Sequence, residues 1–120
     1  MSLKRSLATG AMIIVLAACE SALDPELTTQ RVRLQAPANN LLTTDSVHTF
    51  YWETLEGATR YQLQVVSPRF DSVARLGVDT IINRNQFSQT LRRGSYQWRV
   101  RAFNGGSTSA FSDTFSLTIQ

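Results

Sequence analysis

Few residues in this 120-residue chain have chemistry to offer. One cysteine, Cys19, follows Leu16, Ala17 and Ala18, and one histidine, His48, stands alone in the remainder. A thiol becomes a nucleophile when it loses its proton, so Cys19 is the one side chain with a reactivity of its own. Metal sites need several convergent ligands, and a lone histidine does not supply them. His48 shares the parity of Phe50 and Trp52, which places it at the rim of a core, near the start of a strand. A Ser/His/Asp arrangement would require His48 to align with a nucleophile and an acid, yet no serine sits in a nucleophile-elbow motif. Gly105-Gly106 falls in a connection between strands, not before a helix, so it is no phosphate cradle. Asp45, Asp71, Asp79 and Asp113 are scattered without the spacing of a calcium loop. Neither catalysis, a metal nor a cofactor is expected.

The context of Cys19 gives it a role. Lys4 and Arg5 supply positive charge, Leu7 to Leu16 form an apolar run broken by Thr9 and Gly10, and small residues lead to the cysteine. Crossing a bilayer takes about 20 apolar residues, and this run is roughly half that, matching an export signal instead. The order Leu16-Ala17-Ala18-Cys19 resembles the lipobox of bacterial lipoproteins. That resemblance implies cleavage between Ala18 and Cys19, acylation of the thiol, and Cys19 as first mature residue. An ordinary signal cut beside an incidental cysteine is the alternative; it would leave a free thiol or an intermolecular bridge. One acyl chain binds a membrane only marginally, whereas two or more hold it stably. Glu20 stands where an aspartate would resemble an inner-membrane retention signal, which points to the outer membrane of the cell envelope.

Loss of residues 1–18 would leave 102 of the 120, enough for one domain. Lys4 and Arg5 leave with the signal, so ten of the twelve basic residues remain against nine acidic ones, and all ten are arginine. A near-neutral chain lacks the concentrated basic surface that nucleic acid requires. No disulfide is available to the mature protein, so its core alone must hold it.

Residues 19–29 are short, polar and acidic, with Pro25 interrupting regular structure, and read as a tether. From Gln30 the hydrophobic period is two. Val32 and Leu34; Phe50 and Trp52; Tyr61, Leu63 and Val65; Phe87 and Leu91; Tyr96, Trp98, Val100 and Ala102; and Phe115, Leu117 and Ile119 each alternate with polar neighbours. A seventh strand falls in the looser Val73–Ile82 region. Alternation of this kind marks antiparallel sheets with one wet face, and short strands at regular spacing indicate a sandwich or barrel.

Trp52, the Gly57-to-Tyr61 run, and Leu91 through Asn104 (LRRGSYQWRVRAFN), followed by Gly106, Ser107 and Ser112, are similar to the fibronectin type III fold. The similarity spans residues 30–120. It implies an all-β, immunoglobulin-like antiparallel β-sandwich of about seven strands, with Trp52 and Trp98 between the sheets. It also implies a tyrosine corner at Tyr96, whose hydroxyl bonds to upstream backbone. The Arg-Gly-Asp tripeptide of the family's adhesive members is missing from the Asn104–Ser112 loop, so integrin-type binding does not carry over.

With Tyr96, Trp98, Val100 and Ala102 facing inward, Arg99 and Arg101 face outward, beside Gln62 and Gln64 of the third strand and Thr118 and Gln120 of the last. Phe103 and Phe111 flank a loop of small residues. This Arg/Gln face with two aromatics is the expected binding surface, if the chain has one on a sheet. Two functions suit it: a lipid-anchored, non-catalytic envelope protein whose single module meets a protein partner or serves structure, or a carbohydrate-binding surface lipoprotein using the same face.

Overall fold

The computed structural model describes residues 24–120. Ala18, Cys19 and the start of the expected tether lie outside the described residues. Eight strands follow in order: β1 Leu34–Ala36, β2 Leu41–Thr43, β3 Val47–Trp52, β4 Arg60–Arg69, β5 Ser72–Ile82, β6 Gln86–Thr90, β7 Gly94–Phe103 and β8 Phe115–Ile119. They form two sheets, β1-β3-β6 and β2-β8-β7-β4-β5.

The period-two pattern explains the burial. Along β7 the inward residues Tyr96, Trp98, Val100 and Ala102 are buried, while Gln97, Arg99, Arg101 and Phe103 between them are half-exposed. β4 does the same with Tyr61, Leu63 and Val65 against Gln62 and Gln64. Facing them, β3 contributes Phe50 and Trp52, both fully buried. The Phe50 and Trp98 rings meet edge-on at 4.9 Å, Trp98 meets Phe115 at 5.8 Å, and Trp52 meets Tyr61 at 5.8 Å. Edge-to-face pairs add about 0.5–1.5 kcal/mol each beyond the area they bury, so the aromatic seam fixes how the two sheets lie on each other.

The tyrosine corner is present: the Tyr96 hydroxyl donates to the Arg92 carbonyl at 2.8 Å. His48 is buried on β3 and its Nε2 donates to the Asp45 carbonyl at 2.8 Å, closing the turn before the strand. That is a structural bond.

Three features depart from the sequence reading. β2 is an eighth strand, three residues long and parallel to β8. The loose Val73–Ile82 region is a continuous edge strand of eleven residues, β5, of which Val78 alone is buried. It pairs on one side only, and a bulge between Val78 and Leu76 leaves Gly77 without an opposite residue, so regular alternation is lost there for a physical reason.

The third correction concerns the tether expected over 19–29, because its second half is part of the domain. Leu27 is 1% exposed and sits in the core cluster. Its backbone N–H donates to Ser107 Oγ at 2.9 Å. The buried Asn104 ties this segment down: its Nδ2 donates to the Pro25 carbonyl (2.7 Å) and the Gly57 carbonyl (3.1 Å), while its Oδ1 accepts from the N–H groups of Gly106 and Ser107. All the capacity of that amide is used. Gly57 has φ +88, and a Cβ there would meet Pro25 at 2.8 Å, so the position requires glycine. The domain therefore begins by Pro25. The incoming chain packs at the end of the sandwich where β7 finishes and β4 starts, while Gln120 bonds to Thr43 at the opposite end.

Candidate binding face

The face expected to bind lies on the outside of the five-stranded sheet, and one short loop determines its shape. β8 pairs with β7 only from Gly94 to Trp98, which leaves the rest of that edge of β7 without a partner strand. Ser109 and Ser112 fill the gap. Ser109 N–H donates to the Ala102 carbonyl and its Oγ accepts from Ala102 N–H, both at 2.9 Å. Ser112 repeats this with Val100, at 2.8 and 3.0 Å. Two hydroxyls three residues apart thus stand in for missing backbone acceptors, satisfying buried N–H groups that would otherwise cost about 1–3 kcal/mol each. Between them Phe111 is carried onto the outer face.

There it is enclosed by cations. The Arg99 guanidinium lies 3.9 Å and that of Arg101 4.6 Å from the Phe111 ring centroid. Arg99 also lies 4.0 Å from the Phe70 ring, and Arg101 5.4 Å from Phe103, which Arg60 approaches at 5.8 Å. The sequence of partners is Phe70, Arg99, Phe111, Arg101, Phe103, Arg60: rings and guanidinium groups in alternation. Each such contact contributes about 0.5–1 kcal/mol when exposed and about 2 when desolvated.

The two glutamines complete the arrangement. Gln64 is the cross-strand neighbour of Arg99, and Gln62 that of Arg101. Arg99 Nε donates to Gln64 Oε1 at 3.0 Å, and Arg101 Nε donates to Gln62 Oε1 at 2.8 Å. Gln62 Nε2 in turn donates to Asp79 Oδ1 at 2.7 Å on β5. The Nη groups of Arg99 and Arg101 have no hydrogen-bond partner among the described residues, and neither arginine is in an ion pair; the ion pairs there are Arg31–Asp113, Arg33–Glu53 and Arg69–Asp71. Partial burial, with the neighbouring Arg101 charge second, holds the Arg99 guanidinium below its ordinary proton affinity.

The expected site residues Gln62, Gln64, Arg99, Arg101, Phe103 and Phe111 therefore come together as one surface. Phe103 and Phe111 lie half-buried with guanidinium groups over their rings. Sequence reasoning missed Phe70 and Asp79, which the β4–β5 hairpin brings in. Among the described residues, no group of three or more acidic, histidine or cysteine side chains converges on a point that could hold a metal.

These features define a fibronectin type III-like β-sandwich bearing an arginine–aromatic ladder on its larger sheet. Solved structures agree on the fold. The fibronectin(III)-like modules of Clostridium thermocellum CbhA superpose with a TM-score of 0.54 at 12% identity, over 74% of this chain and 95% of theirs. The fibronectin type III domain from the human KIAA0970 protein gives 0.55 at 10% identity, over 73% and 72%. The domain of human fibronectin type III domain containing protein 3 gives 0.52 at 14%, over 77% and 86%. No protein-family model matches the sequence, and no curated protein matches it.

Proposed function

We propose that this chain is a lipid-anchored, non-catalytic protein of the bacterial cell envelope whose single sandwich binds a protein partner through the outer face of its five-stranded sheet. The observation that carries the binding reading is the ladder. Two guanidinium groups are fixed in orientation by rings and glutamines, yet among the described residues their outward donors and their charges are uncompensated. Stacking on the rings stabilises the face, and it also leaves two oriented donors free to meet a partner.

The anchoring reading rests on the order Lys4-Arg5, apolar run, Leu16-Ala17-Ala18-Cys19. It gains a distance from the fold, because Asp24 is already against Gly105. Cys19 and Asp24 are separated by four residues, and the five steps between them reach at most about 18 Å when extended, so the domain would ride close to the bilayer with its entry end toward the lipid. The outer sheet face would then stand to the side, accessible to neighbours in the same membrane.

Carbohydrate binding is the weaker reading of the same surface. Sugars stack on open aromatic faces, and here guanidinium groups cover the rings of Phe70, Phe103 and Phe111.

A Cys19→Ser protein is expected to lose incorporation of labelled fatty acid and to leave the membrane fraction while keeping its fold. Retention of the Cys19→Ser protein in membranes would refute the lipid anchor.

A further inference from the structure

We propose that Arg99 and Arg101 form a paired carboxylate site, which receives two acidic side chains at alternate positions of an extended strand in the partner protein. This inference rests on the interaction reading above and names the chemistry of the partner.

Spacing supplies the first argument. Arg99 and Arg101 are two residues apart on one face of β7, and strand residues i and i+2 lie about 6.6 Å apart. Aspartate or glutamate at i and i+2 of another strand has the same repeat, so two pairs can form without distortion of either backbone.

Orientation supplies the second. A guanidinium group is a planar fork whose donors match the two oxygens of a carboxylate. Most surface arginines must give up side-chain freedom to make such a pair. Here the planes are already set, Arg99 between Phe70 and Phe111 and Arg101 between Phe111 and Phe103. With each Nε committed to a glutamine, the Nη edges are what remains to be offered. Pre-ordering of this kind lowers the entropic cost of binding.

Charge supplies the third. Two like charges stand side by side with no acid in ion-pair range among the described residues; neither β4 nor β8, the neighbours of β7, carries an acid, and Asp79 on β5, one strand further out, already accepts from Gln62. A pair of carboxylates would relieve that repulsion. The rim is apolar: Leu76 and Ile81 on β5 are 57% and 51% exposed and lie on this same face, opposite Val66 and Gln62. Apolar groups around a charged pair exclude water from it and strengthen the contact.

The test uses the acylated protein in a neutral detergent, with a fluorescent peptide alternating threonine and glutamate, its glutamine counterpart, and polygalacturonate. The glutamate peptide is expected to bind, with the glutamine peptide weaker by at least about tenfold. Arg99→Gln/Arg101→Gln is expected to lose that binding. Arg99→Lys/Arg101→Lys, which keeps the charge and removes the fork, is expected to lose most of it. Arg92→Gln/Arg93→Gln, altered in two exposed arginines elsewhere on the surface, is expected to bind as the wild type does. On the wild type, the glutamate peptide should shift the Arg99 and Arg101 Nε–H resonances, a readout that does not depend on any variant folding. Absence of binding by the glutamate peptide, or an equal loss in the Arg92/Arg93 variant, would overturn the site. Polygalacturonate binding without peptide binding would overturn the partner class and assign the face to an acidic polysaccharide. The interaction reading itself fails separately, if no neighbouring protein cross-links to the intact envelope protein through this face.

Discussion

Replacing Trp98 with alanine is expected to unfold most of this domain at growth temperature. The ring is fully buried, pinned edge-on between Phe50 and Phe115, and no disulfide exists to hold the sheets if it goes. Trp→Ala in a core costs about 3–5 kcal/mol, out of a total of about 5–15 for a whole domain. One effect works the other way. Trp98 Nε1 is buried with no hydrogen-bond partner, so removing the indole also removes an unsatisfied donor, worth about 1–3 kcal/mol. The void and the lost ring contacts outweigh it. A loss of about 3 kcal/mol still lowers the melting midpoint by roughly 12–24 °C in a domain this size. Trp98→Phe separates the two contributions, because it keeps ring contacts and drops the donor; its cost should be well under half that of the alanine variant. Circular dichroism melts of both variants check this, and an unchanged midpoint in Trp98→Ala would show that the ring is not the centre of the core.

Shortening the chain gives the second large effect. A protein beginning at Gln30 is expected to be less stable by about 2–5 kcal/mol than one beginning at Asp24, since it loses the buried Leu27 side chain. It also strands Asn104, whose amide donates to the Pro25 carbonyl at 2.7 Å, and it exposes the pocket that Leu27 filled. Urea unfolding of the two lengths compares them directly. Equal stability would mean that the segment merely rests on the surface. The result bears on function too, because a domain that starts at Asp24 hangs on a much shorter leash than one that starts at Gln30.

How much of this was legible in the residues follows from the range of the forces involved. Strands whose two faces differ in exposure write themselves into the sequence, so β3, β4, β7 and β8 could be read from alternation alone, with Tyr96, Trp52 and Trp98 in their places. Arg99, Arg101, Gln62 and Gln64 were assigned to one outer face by the same parity, and the cross-strand register put them in contact. β5 was blurred because an edge strand buries little and carries a bulge at Gly77. β2 was invisible: three residues cannot display a period, and their pairing with β8 depends on chain far away. Leu27 sits among acidic and polar neighbours, so its local sequence says linker; only the pocket beside Ser107 and Asn104 makes it core. The stacking was out of reach for a related reason. Nothing local tells Phe70 in a hairpin turn or Phe111 in a loop that both will lie over Arg99.

Stacked between rings and bonded through Nε to glutamines, Arg99 and Arg101 are held rigid before any partner arrives. Nitrogen-15 spectroscopy of the arginine Nε–H groups in the free protein tests that rigidity most directly. The Arg99 and Arg101 Nε–H signals are expected to be sharp, displaced by the neighbouring phenylalanine rings, and slow to exchange with water, unlike those of the exposed Arg92 and Arg93. Signals for Arg99 and Arg101 that coincide with Arg92 and Arg93 and exchange as quickly would show mobile side chains, and would contradict a pre-ordered binding face.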